Sequence, residues 1–112
     1  MMKSFIITML DNKKSVESTD KCIESGKKFG YNNIEIFKAT TPKDNLKHEF
    51  EKDGLSIDDF KVDTRYSKLE PAMCCYLSHK ELWKKCLELN ETILVLEHDA
   101  IFIDKIPNNI YF

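Results

Sequence analysis

Apolar residues run almost unbroken from Phe5 to Leu10, with Thr8 the one polar interruption, and predict a first strand over Lys3 to Leu10. Asp11 and Asn12 end it, and both suit a helix N-terminus. From Lys13 to Phe29 the pattern turns helical, with Val16, Thr19, Ile23 and Gly26 on one face, Cys22 and Phe29 beside it, and Gly30 as the C-cap. Ile34, Ile36 and Phe37 predict a second strand from Asn33 to Ala39. A strand, a helix and a strand in about 40 residues imply a right-handed crossover and a parallel pair, the opening of a doubly wound sheet.

The middle of the chain is polar, with a short helix expected at Lys43 to Lys52, a break at Asp53-Gly54 and an irregular charged segment up to Lys68. Pro71 is placed as the first residue of a long helix reaching about Asn90. Along it Ala72, Cys75, Tyr76, His79, Leu82, Trp83, Cys86 and Leu87 recur at spacings of three and four and predict a core face, while Lys80, Glu81, Lys84, Lys85 and Glu88 fall opposite. Thr92 to Leu96 is the third strand, and its unbroken apolar character implies cover on both faces. The fold class is therefore α/β, a three-layer sandwich around a mainly parallel sheet in one domain over residues 1–112.

Composition narrows this further. A chain of 112 residues that is 42% hydrophobic, with seven Phe, four Tyr and one Trp, can build a core. Seventeen basic and nineteen acidic residues give a net charge of −2 with no basic stripe, so nucleic acid is not an expected partner. No run approaches the roughly 20 apolar residues of a membrane span, and no signal-peptide pattern is present, so the expected setting is cytoplasmic. Four cysteines, Cys22, Cys74, Cys75 and Cys86, form no C-x-x-C pair and are expected as reduced, buried thiols rather than disulfide or zinc ligands. Only three glycines occur, none in a phosphate-loop arrangement, so any bound phosphate needs another anchor.

The third strand supplies one candidate. It ends in Glu97-His98-Asp99, and in extended backbone the two acids would project to the same side while His98 points away. Paired carboxylates suit a hard divalent ion, Mg²⁺ or Mn²⁺, completed by a ligand's diphosphate; the bland alternative is a strand that stops in solvent on acidic residues. His79 lies on the predicted core face beside Ser78, either as a hydrogen-bonded core histidine satisfied by Ser78 or as a group reaching the end of the neighbouring strand. Trp83 and Tyr76 are expected in the core.

At Cys75-Tyr76-Leu77-Ser78-His79, Trp83 and the strand from Ile93 to Glu97, the chain resembles glycosyltransferase family 25, the lipooligosaccharide and procollagen galactosyltransferase group. That family shows a Cys-x-x-Ser-His-x-x-x-Trp helix followed by an apolar strand ending Glu-Asp-Asp. His98 stands here for the middle acid, Lys13 and Lys14 follow the first strand where the family often has arginine, and the family's domains run roughly twice this length.

The resemblance implies a GT-A-like (Rossmann-like) fold in a short or truncated version holding the donor-binding half. It implies transfer of a sugar, a hexose, from a UDP-sugar donor to a glycan or protein acceptor with inversion, in lipopolysaccharide biosynthesis or a related pathway. Glu97 and Asp99 would be the metal ligands for Mn²⁺ or Mg²⁺, Ser78 and His79 would buttress the donor pocket, and Asp11 and Asn12 would lie beneath the nucleotide. An inverting transfer also needs a general base, for which Glu70 is a candidate. Two rival readings remain: a non-catalytic nucleotide-sugar-binding or protein-interaction module on the same fold, and a metal-dependent hydrolase using His79, His98 and Asp99. A shortened fold would leave a sheet edge open, through which a homo-oligomer could form.

Overall fold

The computed structural model describes residues 2–56 and 69–107. Three strands form its sheet: β1 (Lys3–Thr8), β2 (Ile34–Lys38) and β3 (Ile93–Glu97). Their order is β2-β1-β3, and β1 pairs parallel with both neighbours, Ile6 standing opposite Ile36 on one side and Leu96 on the other. Among the described residues three helices accompany them, α1 (Lys13–Lys27), α2 (Leu46–Glu51) and α3 (Leu69–Leu89).

Alternation along β1 assigns the helices to opposite faces. Thr8 bonds Thr19 of α1 side chain to side chain at 2.7 Å, so Ser4, Ile6 and Thr8 face that helix. Phe5 faces the other way, where the Lys85 ammonium of α3 sits 5.0 Å from its ring centroid. Ser4, Phe5, Ile6 and Thr8 are all buried, as expected of a central strand covered on both sides. The arrangement is a three-layer α/β unit with a parallel sheet flanked by helices.

The spacing finds part of the inward face of α1, whereas α3 turns inward a different face from the one predicted. In α1 the buried residues are Ser15, Thr19, Cys22, Ser25 and Gly26, whereas Val16 and Ile23 are only half-buried. Small side chains let the helix lie close to the sheet: a Cβ on Gly26 would come within 2.7 Å of Ile34 Cδ1. The helix starts where Asn12 Oδ1 accepts from the Ser15 amide. It ends in a Schellman motif, with the Tyr31 amide donating to Gly26 O, the Gly30 amide to Lys27 O, and Gly30 at φ +91°.

In α3 the buried set is Met73, Cys74, Leu77, Ser78, Lys80 and Leu82, while Trp83 is 52% and Leu87 81% exposed. The expectation that Trp83 lies in the core is therefore corrected; among the described residues its ring meets Tyr76 edge-on and the His79 imidazole, with centroids 6.1 and 6.4 Å away. The cause is that α3 packs on two neighbours, the sheet and α2. Phe50 of α2 inserts between Met73 and Leu77 and stacks on Tyr76. Lys80, expected in solvent, is buried because Asp53 pairs with it and with Lys84.

The helix begins two residues before Pro71, and Asn90 at φ +51° ends it. The break at Asp53-Gly54 is present, with Gly54 at φ +76°. The charged segment expected up to Lys68 falls, from residue 57 on, outside the described residues. Strand β3 is half-buried from Ile93 to Leu96 rather than fully covered, since it is an edge of the described sheet. After it the chain crosses back to α1, where the Phe102 amide donates to Ser25 Oγ and the ring packs on Tyr31 at 5.0 Å.

Candidate functional site

The strand order creates a switch point. The crossover through α1 carries the chain from β1 to β2, and the return through α3 carries it to the opposite side of β1, so the two connections diverge at the carboxyl ends of β1 and β3. Open α/β sheets bind ligands in that crevice. Here it holds a cavity of about 490 Å³ with Ile7 of β1 and Met9 just after it, Glu97 at the end of β3 with His98 and Asp99 in the turn that follows, Ala39, Thr40 and Pro42 from the segment after β2, and a wall of α3 from Pro71 to His79. Small-molecule sites usually occupy about 300–1,000 Å³.

Each wall is fastened by a specific bond. Ser78 Oγ donates to the Cys74 carbonyl at 2.8 Å and accepts from the Thr40 amide at 2.9 Å, tying the segment after β2 to α3. Ser78 therefore does not serve His79, as one reading of the sequence had it. On the opposite face of the sheet, Ser15 Oγ accepts from the Met9 amide at 2.9 Å and lies 3.2 Å from His98 Nδ1, joining the ends of β1 and β3 to the first turn of α1. Ser15 carries no motif, and only the packing of α1 reveals its place.

Strand β3 ends at Glu97, and Ala100 N–H closes a turn onto the Glu97 carbonyl, so His98 and Asp99 are not in extended backbone. His98 still points to the α1 side and Glu97 to the α3 side. Glu97 and Asp99 both line the cavity. The groups that converge on Glu97, however, come from α3: His79 Nε2 is 3.4 Å and Cys75 Sγ 3.9 Å from its Oε1. Among the described residues these three form the one cluster of metal-type ligands, all ligating atoms lying within 4.8 Å of one another, and Asp99 is not part of it.

Cys75 is exposed, contrary to the expectation of four buried thiols. Partial burial and the neighbouring Glu97 carboxylate both push its thiol above the ordinary range, so it is not an activated nucleophile. The signal that could have found this group is the spacing of Cys75 and His79, four apart on a helix and hence on one face.

Other expected residues lie elsewhere. Asn12 is engaged as the α1 cap, and Asp11 pairs with Lys43 at 2.8 Å, which holds its carboxyl below the usual range; neither lines the cavity. Glu70 is exposed in the first turn of α3 and also does not line it.

The architecture is a Rossmann-like α/β unit with a ligand-sized crevice at its switch point, ringed by two carboxylates and two histidines. The sequence profile of glycosyltransferase family 25 (LPS biosynthesis protein) matches residues 1–112, and the chain belongs to that family. No curated protein matches it significantly. Among the described residues no helix is long and apolar enough to cross a membrane.

Proposed function

We propose that this chain is a hexosyltransferase domain that holds a UDP-sugar in the switch-point cavity and delivers the sugar to a glycan or protein acceptor. The observation that carries the reading is the position of the cavity, at the carboxyl ends of β1 and β3 and lined by both elements that bear the family's motifs, the Ser78-His79 helix and the Glu97 strand end. Its described lining contains no lysine or arginine, so the charge of a diphosphate there must be offset by other means. Glu97 and Asp99, on the same wall, are the residues that would hold Mn²⁺ or Mg²⁺, whose contribution is to stabilise the departing diphosphate as a Lewis acid.

The chain's own residues supply shape and anchoring. Ser78 fixes the segment that carries Thr40 and Pro42 against α3, and Ser15 fixes the base of the crevice. Ile7, Met9, Ala39 and Pro42 give the crevice an apolar wall. Glu70, exposed and outside the cavity lining, is not assigned the role of base.

A second reading, a non-catalytic nucleotide-sugar-binding module, draws support from the lining: beyond Glu97 and Asp99, both committed to the ion in this scheme, the described lining offers no carboxylate to act as a base. Self-association along the open flank of β3 is compatible with either.

The test is a thermal-shift series with UDP, UDP-galactose and UDP-glucose, each with and without Mn²⁺, followed by an assay for released UDP. A ligand at a hundred times its dissociation constant adds about 2.7 kcal/mol to stability. Metal-dependent stabilisation with sugar release supports the transferase, and stabilisation without release supports the binding module. No response to any nucleotide refutes both.

A further inference from the structure

We infer that Cys75, His79 and Glu97 form a zinc site, distinct in ligand set from a hard-ion site on Glu97 and Asp99. The inference does not rest on sugar transfer, since it concerns the binding of the metal alone.

Geometry comes first. Tetrahedral zinc with bonds of about 2.3 Å to sulfur, 2.0–2.1 Å to nitrogen and 2.0 Å to oxygen sets its ligands about 3.3 Å apart for N and O, and about 3.5 Å apart for S and O. The corresponding distances here are 3.4 Å from His79 Nε2 to Glu97 Oε1 and 3.9 Å from Cys75 Sγ to the same oxygen. Shifts of a few tenths of an ångström at the end of Glu97, a side chain 59% exposed, would bring its oxygen to both partners, and with all three ligating atoms already within 4.8 Å of one another, side-chain rotation of Cys75 and His79 on the helix would complete the set.

Donor chemistry points the same way. A thiol and an imidazole with one carboxylate form a borderline-soft set that favours zinc over magnesium or manganese, which prefer all-oxygen shells. The backbone is prepared for it as well: Cys75 and His79 are four apart on one face of a helix of 21 residues, and Glu97 ends the strand beside them, so two rigid elements supply the ligands. All three line the cavity, which leaves the fourth position open to water or to a phosphate oxygen, the pattern of three protein ligands plus one exchangeable ligand. Because Glu97 belongs to both sets, zinc at this site withdraws that carboxylate from any ion shared with Asp99.

Cobalt(II) is the probe, because a thiolate bound to it gives a near-ultraviolet charge-transfer band and tetrahedral coordination gives intense visible bands. Reduced full-length chain, titrated without nucleotide, should show both bands saturating at one equivalent and bleaching when Zn²⁺ is added. Cys75→Ser should abolish the charge-transfer band. His79→Ala should weaken binding by more than about 100-fold, beyond the effect typical of an outer-shell partner. Cys86→Ser and Asp99→Ala should leave the spectrum unchanged, and circular dichroism of each variant checks that it is folded. A wild-type chain without the charge-transfer band, a band that survives in folded Cys75→Ser, or its loss in folded Asp99→Ala would each overturn the assignment. Failure here with an intact UDP response removes only the zinc site, and the converse removes only the nucleotide reading.

Discussion

Ser78→Ala isolates the bond that holds the cavity together. Ser78 is 1% exposed, and its hydroxyl is the hydrogen-bond acceptor for the Thr40 amide. Removing it deletes one hydrogen bond to a helix carbonyl, which matters little because the Cys74 carbonyl lies within α3, and leaves a part-buried amide without its partner, which matters more. An orphaned buried polar group costs about 1–3 kcal/mol, and water admitted from the adjoining cavity should hold the loss to the lower half of that range. For 112 residues the unfolding entropy near 60 °C is about 235 cal/mol/K, so each kcal/mol lowers Tm by about 4 °C. The expected shift is therefore a decrease of about 4–9 °C, read by calorimetry at fixed pH. Hydrogen exchange supplies the local readout: the Thr40 amide should lose protection while amides of β1 keep theirs. An unchanged Tm together with a protected Thr40 amide would refute the assignment of this bond as the clamp of the cavity wall.

Phe50→Ala should cost about 3–5 kcal/mol, since Phe50 is fully buried and is the side chain through which α2 docks on Met73 and Leu77; urea unfolding would measure it. Gly30→Ala should cost about 1–2 kcal/mol by strain alone, because φ is +91° there with open space around the added methyl, and the same titration would detect it. Lys80 and Lys84 hold the Asp53 carboxyl at about 2, below its ordinary 3.8. A lowered carboxyl stabilises the fold fully above the unfolded value and loses that contribution as pH falls from about 3.8 towards 2, so Asp53→Asn should flatten stability against pH in that window. Asp99→Ala should abolish any Mn²⁺-dependent part of the nucleotide-induced thermal shift; a shift that persists would remove Asp99 from the ion site.

The elements were legible because their signals are local. Phe5 to Leu10 and Ile93 to Leu96 are apolar runs of strand length, Asn12 and Gly30 are cap residues in the positions caps require, and the resulting β-α-β start fixes a parallel pair. Helix orientation was less legible, for two physical reasons. On α1 the spacing finds Thr19, Cys22 and Gly26, but Ser15 and Ser25 complete the buried face as small polar residues that an apolar periodicity passes over, while Val16 and Ile23 are only half-buried. On α3, burial against two neighbours divides the apolar residues between faces, and an ion pair with Asp53 draws Lys80 inward, so no single stripe describes the helix. The site followed the same division: Glu97 and Asp99 stand out as a sequence pair, but the partners of Glu97 belong to α3 and meet it only through the packing of that helix on the strand end.

Charge at the cavity makes Glu97 the residue on which the rival readings turn. Two carboxylates facing an incoming diphosphate, with no lysine or arginine in the described lining, set like charges against one another in a partly apolar enclosure. At an effective dielectric constant of about 20, a pair of unit charges about 4 Å apart repel by about 4 kcal/mol, enough to cost roughly a thousandfold in affinity. A divalent ion reverses that sign, and a hard ion can do so while accepting oxygens from both acids and from the phosphates. Zinc in the Cys75-His79-Glu97 set also brings positive charge, but its binding releases the thiol proton to solvent, so the new thiolate and Glu97 together offset the cation while Asp99 stays uncompensated beside the phosphates. A diphosphate should therefore bind more tightly with the ion on Glu97 and Asp99 than with zinc. Measuring UDP affinity in Mn²⁺ and then in Zn²⁺ for the wild type and for Cys75→Ser separates the cases: substitution should leave the Mn²⁺ value unchanged and alter the Zn²⁺ value. Equal responses of both values would mean that the two ions share one ligand set and that the division drawn at Glu97 is wrong.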